Sequence, residues 1–251
     1  MLFNFAIYRL KLKYQKSVLG YLWILIQPII YLGILFFVYN IFLSQKINEL
    51  DNIEYSLYIF GGLIPYLCIS DTINNASSTI QNFKNFIKND IVSMNNILLS
   101  SGVMGLINFL VMTIFYIILG SIIFEFNNFN FLNFLYIIIS MMLICLTLSV
   151  VLTIIFFVLP DLYQVVNLLL ILGIFVSPIA YKYEMVPTSY QFMIFLNPVE
   201  TYLEFYRSTF NMQNLSIDTY IFLKNLIINL VFFLISFFIL KKSKRYIQDN
   251  V

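Results

Sequence analysis

Apolar stretches of about 20 residues recur from one end of this chain to the other, at about 21–43, 55–79, 97–124, 131–158, 164–181 and 219–240. A helix of about that length crosses the roughly 30 Å hydrocarbon core of a bilayer. Backbone N–H and C=O groups find no water there, and a helix satisfies them internally. The expected fold is therefore an all-α integral membrane protein with about six transmembrane helices, a single membrane domain over residues 1–251. Composition points the same way: 61% of residues are hydrophobic and 10% charged, against roughly a quarter charged in a soluble domain. Such a chain cannot cover itself with a water-soluble surface.

Charge orients the spans. Of the 14 Lys and Arg residues, four lie in the N-terminal segment (Arg9, Lys11, Lys13, Lys16), two at Lys84 and Lys88, and four at Lys241, Lys242, Lys244 and Arg245. The connections on the other side hold Lys46, Lys182, Arg207 and Lys224 among most of the acids, including Glu49, Glu125, Glu200, Glu204 and Asp218. The positive-inside rule then places both termini and the 80–96 connection in the cytoplasm. A net charge of +2, with the cations at membrane flanks, gives no reason to expect a nucleic-acid partner. The basic N-terminal segment runs into a long span without a small-residue cleavage site, so that span is expected to stay in the mature protein.

Three connections carry further pattern. Within 1–18, Phe3, Ile7, Leu10, Tyr14 and Val18 recur at helical spacing with Arg9, Lys13 and Lys16 grouped opposite, which predicts an amphipathic interfacial helix. In 82–96, Phe83, Phe86, Ile87 and Ile91 fit either a short amphipathic helix or a solvated loop. In 182–218, Asn197-Pro198-Val199-Glu200 reads as a helix start. Val199, Tyr202, Leu203, Tyr206 and Phe210 then form a stripe suited to a re-entrant or an interfacial helix.

The chemistry a soluble enzyme would need is sparse. Histidine is absent from the chain, which removes the commonest general base and metal ligand. None of the eight glycines is followed by lysine, so no phosphate loop for ATP is present, and any ATP and Mg are expected to be used by another polypeptide. Cys68 and Cys145 lie in apolar stretches and read as small buried hydrophobes. Asp71 is the one acid placed for ion coupling, and a helix-end position or bonds to neighbouring Thr72 and Asn74 account for it better, since a single acid is weak evidence for coupling.

The stretch Arg9-Leu-Lys-Leu-Lys-Tyr-Gln-Lys-Ser17-Val-Leu-Gly20-Tyr-Leu-Trp23-Ile-Leu-Ile-Gln-Pro28 resembles the start of type-2 ABC transporter permeases of the polysaccharide exporter family, which move O-antigen, teichoic acid or capsule. Phe60-Gly-Gly-Leu-Ile-Pro65-Tyr66, Asn85-Phe-Ile-Lys88, Ser177-Pro178, Val186-Pro187 and Leu196-Asn-Pro198 follow in the same order. Leu10 stands where the family often has an acid, and Val92-Ser93 where it often has Phe-Pro.

The resemblance implies a bacterial inner-membrane homodimer docked on two copies of an ATP-binding subunit, moving a lipid-linked glycan outward. It implies no enzyme activity and no bound cofactor in this chain. Phe83, Lys84, Phe86, Ile87, Lys88 and Ile91 then look like the coupling segment that contacts the ATPase. Arg9, Lys11, Lys13, Tyr14 and Lys16 look like a gate helix that meets lipid headgroups, and Tyr181, Tyr183, Tyr202 and Tyr206 like part of the glycan path. Export of a lipid or drug, ion-coupled flipping of a lipid-linked sugar and intramembrane enzyme chemistry are the competing expectations.

Overall fold

The computed structural model describes residues 1–42, 47, 50–123, 129–195, 197–210 and 219–250. Leu196 and the orienting charges Lys46, Glu49, Glu125 and Asp218 lie outside the described residues. Among those described, every regular element is helical. In chain order these are α1 (Leu2–Tyr14), α2 (Trp23–Phe36), α3 (Asn52–Ser77), α4 (Thr79–Asn82), α5 (Lys84–Lys88), α6 (Met94–Ile123), α7 (Phe131–Val158), α8 (Leu162–Val176), α9 (Gln191–Phe195), α10 (Glu200–Thr209) and α11 (Thr219–Asn250). A 3-10 turn at Gly20–Leu22 and a π-helical turn at Phe37–Phe42 extend α2 into one apolar helix.

Among the described residues, five helices are long and apolar enough to cross a membrane: Gly20–Phe42, Asn52–Ser77, Met94–Ile122, Phe131–Val158 and Leu223–Asn250. The stretch expected to span at 164–181 behaves differently. Its helix, α8, stops at Val176, and 15 residues at ~1.5 Å each reach roughly 22 Å, short of a ~30 Å core. Pro178 disfavours helical backbone at the preceding residue, and Ser177 is extended, at φ −72° and ψ 139°. Irregular chain follows at 177–181.

Burial ranks the helices. In its apolar window α3 is 78% buried, against 17% for both Gly20–Phe42 and Leu223–Asn250, so α3 is the axis of the bundle and the other two lie on its rim. It packs against α6, α7, α2 and α10. The axis is fixed at its start by Asp51 and Glu54, which cap each other's backbone N–H groups, with the Asp51 N–H bonded to the Glu54 carboxylate at 2.9 Å. Cys68 on α3 and Cys145 on α7 are buried free thiols in contact, their sulfurs 3.4 Å apart.

Both termini reach one end of the bundle. Phe5 of α1, Ile80 and Phe83 near α4, Ile87 of α5, and Leu240 and Ile247 of α11 share one buried cluster. The turn from α1 into α2 explains the spacing of its motif. Gly20 sits at φ +52°, its N–H bonds the Ser17 carbonyl at 3.2 Å, and the Trp23 indole N–H donates to the Ser17 hydroxyl at 2.9 Å. A side chain at Gly20 meets open space, so its cost is conformational. Gly20→Ala is expected to lower the unfolding free energy by about 1 kcal/mol, read by thermal unfolding in detergent.

Candidate functional site

Three groups of side chains organise the ends of the bundle. The first is the seat of α1. Arg9 is 6% exposed, and its guanidinium donates to the hydroxyls of Ser100, Ser101 and Thr79 and to the Asn75 carbonyl, the last three at 3.0 Å. It also lies 5.2 Å from the centre of the Phe83 ring. Burial pushes the Arg9 guanidinium down to about 10, so it stays charged at neutral pH.

The face of α1 that meets the protein is therefore Phe5, Ala6, Arg9 and Leu10. Phe3 and Val18, from the stripe seen in the sequence, are exposed. This corrects the expected facing of the helix. Hydroxyl and carbonyl oxygens that lipid cannot offer make the Arg9 side the better one to bury.

Lys11 and Lys16 are exposed. Lys13 pairs with Asp71 of α3 at 3.7 Å, the two side chains 34% and 18% exposed. Asp71 in turn accepts from the Asn108 amide of α6 at 2.7 Å. Tyr14 is half-buried beside Tyr21, and burial, with Asp71 nearby, pushes its hydroxyl up to about 12.

Cavities lie beside and near this seat. One, of about 420 Å³, lies between α1 and the corner of α3 and α4, and is lined by Arg9, Leu12, Lys13, Asn75, Ser78, Asn82, Phe83 and Met104. Another, of about 290 Å³, lies among α2, α3 and α8. It mixes apolar walls with Gln27, Tyr31, Ser70, Asp71, Asn74 and Asn167.

The second group is the turn from α3 to α6. The apolar residues expected to share one face divide between two surroundings. Phe83 and Ile87 are 5% exposed and belong to the molecule's own buried cluster. Phe86 is half-buried, with its ring edge-on to Phe83 at 5.6 Å. Lys84, Lys88 and Ile91 point outward. The segment folds back sharply because Asp90 adopts φ +49°, which lets the N–H of Ile91 bond the Phe86 carbonyl at 3.1 Å and that of Asp90 bond Ile87 at 3.3 Å.

The third group lies at the opposite end, around Arg207 of α10, which is 2% exposed. Its Nε donates to the Tyr58 carbonyl at 3.3 Å, Nη1 to the Tyr58 hydroxyl and the Pro178 carbonyl at 2.9 Å, and Nη2 to the Ile179 carbonyl at 2.6 Å. The guanidinium stacks 3.6 Å above the Tyr58 ring. Tyr55 donates to the Ala180 carbonyl at 2.7 Å, Tyr58 to Tyr181 at 3.3 Å, and Asn197 to the Ser177 hydroxyl at 2.7 Å.

Irregular backbone at membrane depth is tolerated where protein satisfies it, and these side chains satisfy 177–181. They also explain the glycine pair of α3: a Cβ on Gly62 would collide with Arg207 Nη2, and one on Gly61 would lie 3.1 Å from the Tyr116 hydroxyl. Sequence reading counted Arg207 as an outside charge and missed this role. The Gly61-Gly62 pair was the available signal that something large approaches α3.

The tyrosines proposed along a glycan path sit at two depths. Tyr202 and Tyr206 are buried, with hydroxyls on Asn229 at 2.8 Å and Thr113 at 3.3 Å. Tyr181 donates to the carbonyls of Phe175 and Val176 at the end of α8, and Tyr183 is 38% exposed. The end of the 182–218 connection, at 211–218, lies outside the described residues.

A bundle of long apolar helices around a buried axis defines a multi-pass integral membrane protein. Residues 4–211 match the ABC-2 type transporter family, from the first turn of α1 to just past α10, and the chain belongs to that family. No curated protein matches it. It is the transmembrane permease subunit of an ABC transporter, not itself catalytic; it works with an ATP-binding subunit that carries the ATPase activity.

Proposed function

We propose that this permease exports a polysaccharide carried on a lipid, such as O-antigen, teichoic acid or capsule, across the bacterial cytoplasmic membrane, with both termini on the cytoplasmic side. The observation that carries the substrate class is the cavity among α2, α3 and α8. Its polar lining of Gln27, Tyr31, Ser70, Asn74 and Asn167 can both donate and accept, with Asp71 as its one charged member. Such groups are costly in lipid and favour a hydroxyl-rich chain over an apolar drug. The resemblance of the Arg9–Pro28 stretch to polysaccharide exporters supports the same reading. At about 290 Å³ this cavity is too small to enclose a polymer, and a second copy of the chain facing it would complete the channel.

In this account residues 1–18 form the gate helix, 82–96 the coupling segment and 182–218 the re-entrant connection. Lys11, Lys13, Tyr14 and Lys16 face lipid headgroups while Arg9 holds the helix in place. Tyr181 and Tyr183 border the outer glycan path, backed from inside by Tyr202 and Tyr206. Lys84, Lys88 and Ile91 meet the ATP-binding subunit, with Phe83, Phe86 and Ile87 setting the shape of that surface.

Charge reversal at Lys84 and Lys88 together is expected to lower ATP-driven transport about tenfold with unchanged thermal stability. Ile87→Asp is expected instead to reduce folded yield, because it buries an unpaired charge. Size-exclusion profiles beside a transport assay separate the two outcomes.

The substrate class is tested by deleting the chain from its cell and extracting lipid-linked sugars. Completed polymer should accumulate on its lipid carrier inside the membrane. Normal surface polysaccharide with no trapped polymer would return the protein to the lipid or drug exporters.

A further inference from the structure

We propose that the end of α11, at Lys244, Arg245 and Tyr246, is a second docking surface for the ATP-binding subunit and takes an acidic patch of it. The family match ends at residue 211, before α11 begins, so it assigns this helix no role. The apolar run of α11 gives way to charge at Lys241. There the ammonium turns one turn back, to 4.9 Å from the centre of the Phe237 ring, the posture of a cation at the edge of lipid. The helix continues to Asn250. At ~1.5 Å per residue, 241–250 reaches about 15 Å past the hydrocarbon core, whereas the headgroup layer on each side is about 5–8 Å thick. A tilt of about 20° shortens that reach only to about 14 Å. Arg245 and Tyr246 therefore stand at or beyond the outer edge of the headgroups, at the depth of a docked soluble subunit.

This end of α11 is pinned in place. Leu240 and Ile247, seven positions apart, are buried in the cluster that also holds Phe83 and Ile87 of the coupling segment. Ile247 is the one buried residue among 241–250, and Lys244, Arg245 and Tyr246 beside it are exposed. Lys84 and Lys88 are exposed on the outside of the same cluster. Against the cations of these two segments stand the acids Asp90 and Asp249, so the joint surface is basic and suits an acidic partner. Among the described residues neither Lys244 nor Arg245 is in an ion pair. Tyr246 is 52% exposed, with its ring edge-on to Phe157 of α7 at 6.4 Å. An exposed tyrosine beside an arginine, past the reach of lipid tails, is the chemistry that protein interfaces favour at their centres. The proposal rests on the reading of α5 as the coupling segment, to which the shared cluster ties α11.

The test uses the complex purified on a tag carried by this chain, in nanodiscs of zwitterionic lipid alone and of zwitterionic with anionic lipid. The dissociation rate of the ATP-binding subunit is the readout. Lys244→Glu with Arg245→Glu is expected to speed dissociation about tenfold in both lipids, and Tyr246→Ala about threefold. A carbodiimide should couple the Lys244 amine to a carboxylate of the subunit as an amide. All three side chains are exposed, so a thermal melt of each variant should match the parent.

Lys84→Glu with Lys88→Glu, measured in parallel, separates this surface from the coupling reading. Faster release with the α11 variants and none with the α5 pair would keep the α11 surface and withdraw the role of α5. Faster release with the α5 pair alone would keep that role and overturn the proposal. Acceleration confined to nanodiscs with anionic lipid would assign Lys244 and Arg245 to headgroups, and that too overturns it.

Discussion

Arg207→Met is expected to destabilise the folded chain by about 3–5 kcal/mol, the range for removing one partner from a buried charged network. The change strips donors from the carbonyls of Tyr58, Pro178 and Ile179, and two of these belong to the irregular chain after α8. At membrane depth no water replaces the lost donor. Each orphaned acceptor costs roughly 1–3 kcal/mol. The loss should appear as a lower unfolding temperature in detergent and as release of α10 from α3, read by cross-linking between them. Arg207→Lys keeps the charge but replaces a planar fork with a point donor, so it should fall between the two. Gly62→Ala should resemble the methionine variant, since its methyl group enters the space of the guanidinium. A methionine variant as stable as the parent would remove Arg207 from the account of the outer segment.

Arg9→Leu is expected to detach α1 while leaving the spans folded. Its partners lose less than those of Arg207, because the Ser100 hydroxyl also donates to Ile97 at 2.6 Å and that of Thr79 to Asn75 at 2.7 Å within their own helical turns. The cost is therefore about 1–3 kcal/mol, concentrated on the docking of α1. Limited proteolysis should cut near residues 15–19 at least tenfold faster, and transport should fall with it. An unchanged cleavage rate would show that Phe5, Ala6 and Leu10 hold the helix without the arginine.

These two residues also mark where reading the sequence stops. Long apolar runs determined the class of fold, since few structures satisfy a backbone in lipid, and five of the six expected spans are long helices. The sixth was misjudged in form because hydropathy registers apolar side chains but not the backbone break that Pro178 makes. A helix within 1–18 was legible from its period, although it ends at Tyr14 and buries a different face; the surroundings of Arg9 were not legible, because Ser100 and Ser101 lie far along the chain. Helical spacing grouped Phe83, Phe86, Ile87 and Ile91, but their division depends on whether α11 returns to the same end with Ile247. Of the stripe Val199, Tyr202, Leu203, Tyr206 and Phe210, the last four are buried and Val199 is half-buried, but Phe205, Arg207, Ser208 and Thr209 are buried too, so α10 is enclosed on more than the one face its period marked. Arg207 stayed hidden because its acceptors are backbone carbonyls, which carry no residue identity.

The most direct test of the central claim is ATP hydrolysis by the complex purified on a tag carried by this chain, with and without a polyprenyl-diphosphate-linked glycan. A stoichiometric ATP-binding subunit whose hydrolysis rises several-fold with the glycan, and not with the bare lipid or a hydrophobic drug, is the predicted result. Hydrolysis indifferent to the glycan and stimulated by an apolar drug or lipid would contradict polysaccharide export.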